Sequence, residues 1–326
     1  MIGAHHTPAA SRGRLVIVLR WLAGLAVLGL LMHFLPLAPL RAAIVRVPLT
    51  RFLVILIGYL LAHCIGVAKW RMVVNSAGAE LDLATSAQCY AGGLFGTLFL
   101  PSIIGGDVVR LAVGLRHSPR PAAVLTGNVA DRFIDVGAQA ALVLAGLILL
   151  PGSLPAQLQI PRGGILLIGA AVILLLLAIA IVSQRQLLGG RSFHFRRRLA
   201  HLRHALRAVS QRPHILIFGW VLGVSIQFSF LVLTALLAIS CGLVLPLRVW
   251  LFAWPLAKLA AVLPLTQGGI GVREAALVAL LAPFGAAGPV VLAAGLVWEG
   301  VIIAGGLIAG AVALLLRKSG APAPAN

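Results

Sequence analysis

Long apolar blocks alternate with short polar segments along this chain. Three of the blocks, 163–182, 215–247 and 300–316, contain no Asp, Glu, Lys or Arg. A helix of about 20 apolar residues spans the hydrocarbon core of a bilayer, and a helix satisfies its own backbone there. The pattern predicts an all-α, polytopic membrane helix bundle that occupies 1–326 as one integral membrane domain. We place full crossings at about 15–36, 52–69, 122–150, 164–183, 214–240 and 289–316.

Two further apolar stretches, about 86–115 and 248–284, are interrupted near their middle by Pro and paired Gly. Each stretch is short for two crossings. We therefore interpret each as a re-entrant hairpin, which gives about six full crossings plus two hairpins. The alternatives are about eight crossings in all, or two thin crossings for each stretch, which leaves the topology unchanged.

The two interruptions share a motif. The segments 100–110 and 263–273 both read L-P-x-x-x-G-G-x-x-x-R. In the topology above, the first hairpin enters from the inside and the second from the outside. The chain is thus predicted to contain two inverted halves, 52–150 and 214–316. Interrupted helices at matching positions of inverted repeats point to the site of a transporter.

Composition and charge agree with a membrane location. Hydrophobic residues make up 61% of the chain and charged residues 10%, against about 25% charged in soluble domains. The net charge of +19 comes from basic residues between the apolar blocks, which predicts cytoplasmic N- and C-termini. We interpret 184–212 as a basic amphipathic cytoplasmic loop. Anionic lipid, rather than nucleic acid, is its expected partner.

Most of the acidic residues fall inside predicted membrane segments. A charge near the bilayer centre costs at least roughly 2.5–3.5 kcal/mol, so such residues are functional candidates. On helix 122–150 a polar stripe covers about 100° of arc and should face the bundle interior. It forms either a structural salt-bridge cluster or a wall of a hydrophilic cavity. The stripe contains Asn128, Asp131, Arg132, Asp135 and Gln139.

The hairpins supply the other candidates. Glycine permits the backbone angles of a turn within the membrane, and a half-helix that begins after it can bind an anion at its N-terminus. In the alternative, Asp107 only caps its half-helix and Arg110 pairs with Asp107 or Asp131. Lys258 and Glu299 lie at similar depth and are predicted neighbours, with either a structural or a gating or coupling role. The candidate substrate-binding residues are Gly105, Gly106, Asp107, Arg110, Asp131, Arg132, Asp135, Gly268, Gly269, Arg273 and Glu274.

Motifs for catalysis or metal binding are absent from the sequence. It contains neither G-x-S-x-G nor H-E-x-x-H, and its three cysteines lack metal-ligand spacing. We therefore expect no catalytic residue, cofactor or metal ion.

Three motifs resemble the lysylphosphatidylglycerol synthase/flippase membrane-domain family. They are L-P-x-x-x-G-G-D-x-x-R at 100–110, D-R-x-x-D at 131–135 and G-G-I-G-x-R-E at 268–274. Family members often carry Glu-Arg in place of Asp131-Arg132, and the likeness covers nearly the whole chain. The resemblance implies a bacterial inner-membrane protein that moves a phospholipid or related polar lipid between leaflets.

The resemblance also limits the expected function. The family's synthases carry a large soluble transferase domain after the membrane part, and this chain ends soon after Lys318. Aminoacyl transfer, and enzyme activity generally, is therefore not expected. Relatives are linked to polyprenyl-linked glycolipids and to hopanoid pathways, so the lipid is left open, as is a homo-oligomer. The alternative function is a non-transporting accessory or scaffold for an envelope glycolipid or hopanoid pathway.

Overall fold

The apolar blocks fold into α-helices. The computed structural model describes residues 18, 22, 25–100, 104–150, 211–261, 266 and 269–319. No strand occurs in these ranges, and the predicted all-α bundle is confirmed. The helices are α1 (Leu25–Phe34), α2 (Leu37–Val45), α3 (Leu49–Ser76), α4 (Leu83–Phe99), α5 (Ile104–His117), α6 (Pro121–Leu149), α7 (Pro213–Ser240), α8 (Leu247–Ala260), α9 (Val272–Leu281) and α10 (Gly288–Ser319).

Four of these helices, α3, α6, α7 and α10, are long and apolar enough to cross a membrane. They correspond to four of the six predicted crossings. Helices α1 and α2 meet at a bend of 108° and would add a fifth span if they form one crossing. The predicted crossing at 164–183 and nearly all of the loop at 184–212 lie outside the described residues, as does most of 15–24.

The two predicted hairpins each consist of two short helices on either side of a break. Helix α4 packs along α5, and α8 packs along α9. The four helices have 17, 14, 14 and 10 residues. At about 1.5 Å per residue the longest reaches roughly 26 Å, less than the roughly 30 Å of a hydrocarbon core. These lengths favour the re-entrant interpretation.

Helix packing repeats between the first group, α3–α6, and the second group, α7–α10. Within the first group α3 contacts α4 and α6, while α5 contacts α4 and α6, and the second group shows the same four pairings. Between the groups, α4 packs on α10 and α8 packs on α6. Two related halves would give this pattern. The division into inverted halves at 52–150 and 214–316 stays a prediction.

Glycines act differently in the two hairpins. Gly105 and Gly106 lie within helix α5, where a Cβ atom on Gly106 would be 2.5 Å from the carbonyl oxygen of Gly93 on α4. The first pair therefore permits close helix packing, and the prediction that it supplies turn angles was wrong. Gly269 does supply such an angle, with φ of 80°, because the second pair lies before its helix begins. Gly268 lies outside the described residues.

Candidate functional site

The polar stripe of α6 faces the bundle interior, as its helical spacing predicts. Asn128 accepts a hydrogen bond from the indole nitrogen of Trp70 at 3.1 Å. One turn later, Asp131 is 1% exposed. At the far end, Gln139 donates to Gln227 of α7 at 2.9 Å. The stripe thus joins α6 to α3 and α7 through polar contacts inside the bundle.

A network of ion pairs, which we call the first network, surrounds the middle of this stripe. The ammonium of Lys69 on α3 is 2.8 Å from Asp131 Oδ1 and 2.5 Å from Asp135 Oδ1. On the other side, Asp107 of α5 pairs with Arg132. Arg110 is also part of the network, which therefore contains three cations and three carboxylates and carries no surplus charge.

Arg110 is held on several sides. Its Nη2 atom is 2.7 Å from Asp107 Oδ1 and 3.6 Å from Asp131 Oδ2. Its guanidinium also lies 5.3 Å from the ring centroids of Trp70 and Tyr90, within the range of cation–π attraction. The sequence left open whether Arg110 binds an anion or pairs with Asp107 or Asp131, and the structure shows these pairings.

Lys69 is the member of the network that sequence reasoning missed. The crossing predicted at 52–69 ended at this residue, so Lys69 was expected at the inner end of the crossing. The structure corrects this, because α3 continues to Ser76 and Lys69 is only 2% exposed. The signal was present in the sequence: at helical spacing, Lys69 lies on the same face as Gly66 and Val73, which are also buried.

The second half of the bundle has a smaller charged group, which we call the triad: Arg273, Glu274 and Glu299. Arg273 Nη2 lies 2.6 Å from Glu274 Oε1 and 2.6 Å from Glu299 Oε2. The other oxygen of Glu274 accepts from the backbone N–H of Gly271 at 2.7 Å and caps α9. The helix N-terminus that was a candidate anion site is therefore occupied by a carboxylate of the chain itself.

Lys258 on α8 stands apart from the triad. Its ammonium donates to the side-chain oxygen of Gln227 at 2.6 Å, the same oxygen that Gln139 contacts. Lys258 and Glu299 line one cavity, as their similar depth suggested. Their direct partners are Gln227 and Arg273, so the structure shows no ion pair between them.

A cavity of about 340 Å³ lies between the two hairpins. Phe99, at the end of α4, and Ile270, just before α9, bring the breaks of both hairpins to its wall. Its charged lining side chains are Lys258, Arg273 and Glu299, and apolar residues form most of the remaining wall. The cavity therefore combines a charged region with a largely apolar surface.

Aromatic rings form one side of the cavity. Trp298 contacts Tyr59, Phe230 and Trp254 with ring centroids 5.9, 6.3 and 5.4 Å apart. His63 also lines the cavity, and its Nδ1 atom is 3.4 Å from the hydroxyl of Tyr90. None of these rings was a candidate, because aromatic residues on apolar helices resemble ordinary core.

The cavity also has exposed apolar lining. Phe99 on α4 is 55% exposed, and Ile303 and Leu307 on α10 are 43% and 52% exposed. Ile303 and Leu307 would face lipid, because α10 is long and apolar enough to cross a membrane. We call this edge between α4 and α10 the mouth of the cavity.

The candidate residues fall into two places. Arg273 lines the cavity, with Glu274 bound to it and Gly269 beside Ala261. The candidates of the first half belong to the first network or to the packing of its hairpin: Gly105, Gly106, Asp107, Arg110, Asp131, Arg132 and Asp135. Among the described residues, no group of three or more His, Cys, Asp or Glu is placed to hold a metal ion.

Comparison with known families agrees with this architecture. The model of the family described as "Lysylphosphatidylglycerol synthase TM region" matches residues 17–310. The chain belongs to this family. No curated protein and no solved structure matches it. Family membership supports a multi-pass membrane protein of the synthase/flippase type, and the cavity between the hairpins is its candidate functional site.

Proposed function

We propose that this protein is a flippase-like transporter that moves a phospholipid or related polar lipid between leaflets. The observation that carries the proposal is the cavity between the hairpins, which has charged lining residues and an apolar mouth. A lipid has the same two-part chemistry. Its head group would enter the charged region while its acyl chains stay in the surrounding lipid.

The charged region would lower the barrier to head-group transfer. A charge crossing pure hydrocarbon is costly, whereas a cavity that offers ammonium, guanidinium and carboxylate groups replaces part of the lost hydration. Arg273 would contact the head group directly. Arg110 and Arg132 would act from the first network, where Tyr90 connects Arg110 to His63 on the cavity wall.

The two hairpins provide a route to alternating access. Each hairpin contacts both long helices of its own group and one of the other, so a tilt of one group against the other would move both breaks at the cavity. Transporters built from inverted repeats often work by such rocking. Lys258 and Glu299, which both line the cavity, are the proposed gating or coupling pair.

The proposal includes a location and a set of partners. The protein would lie in the cytoplasmic membrane of a bacterium, with both termini in the cytoplasm and membrane lipids as its ligands. Anionic or polyprenyl-linked head groups both suit the charged region. The protein would act on lipids without enzymatic chemistry, so aminoacyl transfer would be absent.

The test is leaflet exchange in vesicles that contain the purified full-length chain. Wild type should speed the exchange of at least one lipid from a panel of phospholipids and glycolipids. Arg132→Ala should abolish it, because Asp107 and Asp135 lose a shared cation. Arg120→Ala is the control, since Arg120 makes an exposed ion pair with Glu80. Unchanged exchange across the whole panel would rule the proposal out.

A further inference from the structure

The two cations that line the cavity have different partners. Arg273 lies between two carboxylates, each 2.6 Å from the same guanidinium nitrogen. Its charge is therefore compensated before any ligand arrives. Among the described residues no carboxylate forms an ion pair with Lys258. Lys258 is therefore the cation best able to take an anionic ligand.

The surroundings of Lys258 stabilise its charge without neutralising it. The ammonium donates to the amide oxygen of Gln227 at 2.6 Å and lies 5.4 Å from the ring centroid of Phe230. An amide dipole and an aromatic face both attract a cation, but neither brings an opposite charge. A lysine ammonium has three N–H donors, so further donors remain for a ligand in the cavity.

A second donor lies one turn before Lys258. Trp254 is on the same helix, and residues four apart lie on one face. It lines the cavity and is 3% exposed, and its indole nitrogen has no hydrogen-bond partner among the described residues. An indole N–H can only donate, and a buried donor without an acceptor is unfavourable. A ligand oxygen would remove that penalty.

We infer that Lys258 and Trp254 form a subsite for a phosphate group, and that the phosphate is that of a phospholipid head group. A phosphate offers the negative charge that Lys258 lacks and several acceptor oxygens for both donors. The apolar wall toward Ile303 and Leu307 would hold the start of the acyl chains. The lipid source of the phosphate rests on the proposed function, whereas the phosphate subsite itself does not.

Three variants isolate the charge of Lys258. Lys258→Gln removes it and keeps a polar side chain of similar length, and Lys258→Arg keeps it. Gln227→Glu leaves the lysine in place but gives it a carboxylate partner, so it should also weaken anion binding. The control is Arg120→Gln, which removes one positive charge from an exposed ion pair away from the cavity.

The experiment measures binding to the purified full-length protein in detergent, by the change in tryptophan fluorescence. The probes are dioctanoyl phosphatidylglycerol, a dioctanoylglycerol with a neutral glucosyl head group, and inorganic phosphate. Lys258→Gln and Gln227→Glu should each weaken phosphatidylglycerol binding about tenfold or more and leave the glucosyl lipid unchanged. Lys258→Arg and Arg120→Gln should bind close to wild type.

Several outcomes would overturn the inference. Equal losses for both lipids in Lys258→Gln would assign Lys258 to the fold, and unchanged phosphatidylglycerol binding in Lys258→Gln and Gln227→Glu would remove the subsite. Tight, Lys258-dependent binding of inorganic phosphate with no preference for the lipid would remove the lipid source. Leaflet exchange separates the two proposals. Exchange by wild type without Lys258-dependent binding contradicts the subsite alone, and Lys258-dependent binding without exchange contradicts the transport function alone.

Discussion

Two lysines in the interior of the bundle, Lys69 and Lys258, show how its two halves differ. Lys69 bridges two carboxylates in the first half, whereas Lys258 in the second half contacts an amide and an aromatic ring beside a cavity. In the first half, the ammonium of Lys69 is therefore paired with carboxylates of a neighbouring helix. The second half leaves a cation beside space that a ligand can fill. Halves with matching helix packing therefore place their interior lysines in different surroundings.

The largest expected effect comes from replacing each lysine with methionine. Lys69→Met leaves Asp131 and Asp135 without their shared cation, and breaking a buried ion pair in this way costs about 3–5 kcal/mol. Lys258→Met removes a partly buried charge that lacks a carboxylate partner among the described residues, so the stability of the fold should stay unchanged or rise. Thermal unfolding of both variants in detergent measures the difference. Equal destabilisation would contradict the comparison.

Glycine substitutions give the next effect and test the packing of the first hairpin. Gly106→Ala would place a Cβ atom 2.5 Å from the carbonyl oxygen of Gly93, and overpacking of this kind costs about 1–3 kcal/mol. Gly29→Ala is the matched helical control, because nothing lies within 4 Å of its added Cβ. Unfolding midpoints should fall for Gly106→Ala and stay or rise for Gly29→Ala. A similar midpoint for both would show that the hairpin is loosely packed.

Glu299→Gln should have a smaller effect, and on binding rather than on folding. Arg273 keeps Glu274 as a partner, while the cavity loses one negative charge. Phosphatidylglycerol binding should tighten by about 1 kcal/mol, or roughly fivefold. In the same titration, Asp135→Asn, a variant in the first network, should change phosphatidylglycerol binding less. Weaker binding in Glu299→Gln would show that the carboxylate itself contacts the head group.

The smallest expected effect is on stability and comes from the helix cap at the start of the first hairpin. Asp82 caps α4 by accepting from the backbone N–H of Thr85 at 3.1 Å, while α8 begins after Pro246 without a side-chain cap. Asp82→Ala should cost about 0.5–2 kcal/mol, and Asp82→Asn should keep most of the cap.

The same hydrogen bond predicts that the stabilisation of the fold by Asp82 depends on pH. The hydrogen bonds from Thr85 lower the pKa of its carboxyl group below its usual value. The stabilisation is therefore present above the unfolded-state pKa and is lost as pH falls through the lower folded-state pKa. Unfolding of wild type and Asp82→Asn from pH 7 to pH 3 should show a difference that changes only toward the acid end. A difference that changes with pH near pH 7 would contradict this assignment.

Much of this arrangement could be predicted from the sequence where periodicity carried the information. The stripe on α6 was predicted because residues three and four apart share a helical face, and the hairpins because Pro and Gly interrupt apolar runs. Lys69 was missed because hydropathy marked the end of the crossing before the helix ended. Depth placed Lys258 and Glu299 on one cavity, but which side chains reach each other depends on packing that one sequence does not specify.

The central claim is that a lipid crosses through the cavity between the hairpins, and one measurement tests it most directly. Leaflet exchange of phosphatidylglycerol should be compared for vesicles with wild type, Ile303→Trp and Ile217→Trp. Ile303 lines the mouth, whereas Ile217 lies on α7 outside the cavity lining and is 64% exposed. We predict fast exchange for wild type and Ile217→Trp and strongly slowed exchange for Ile303→Trp. Equal exchange rates for the two variants would contradict the account.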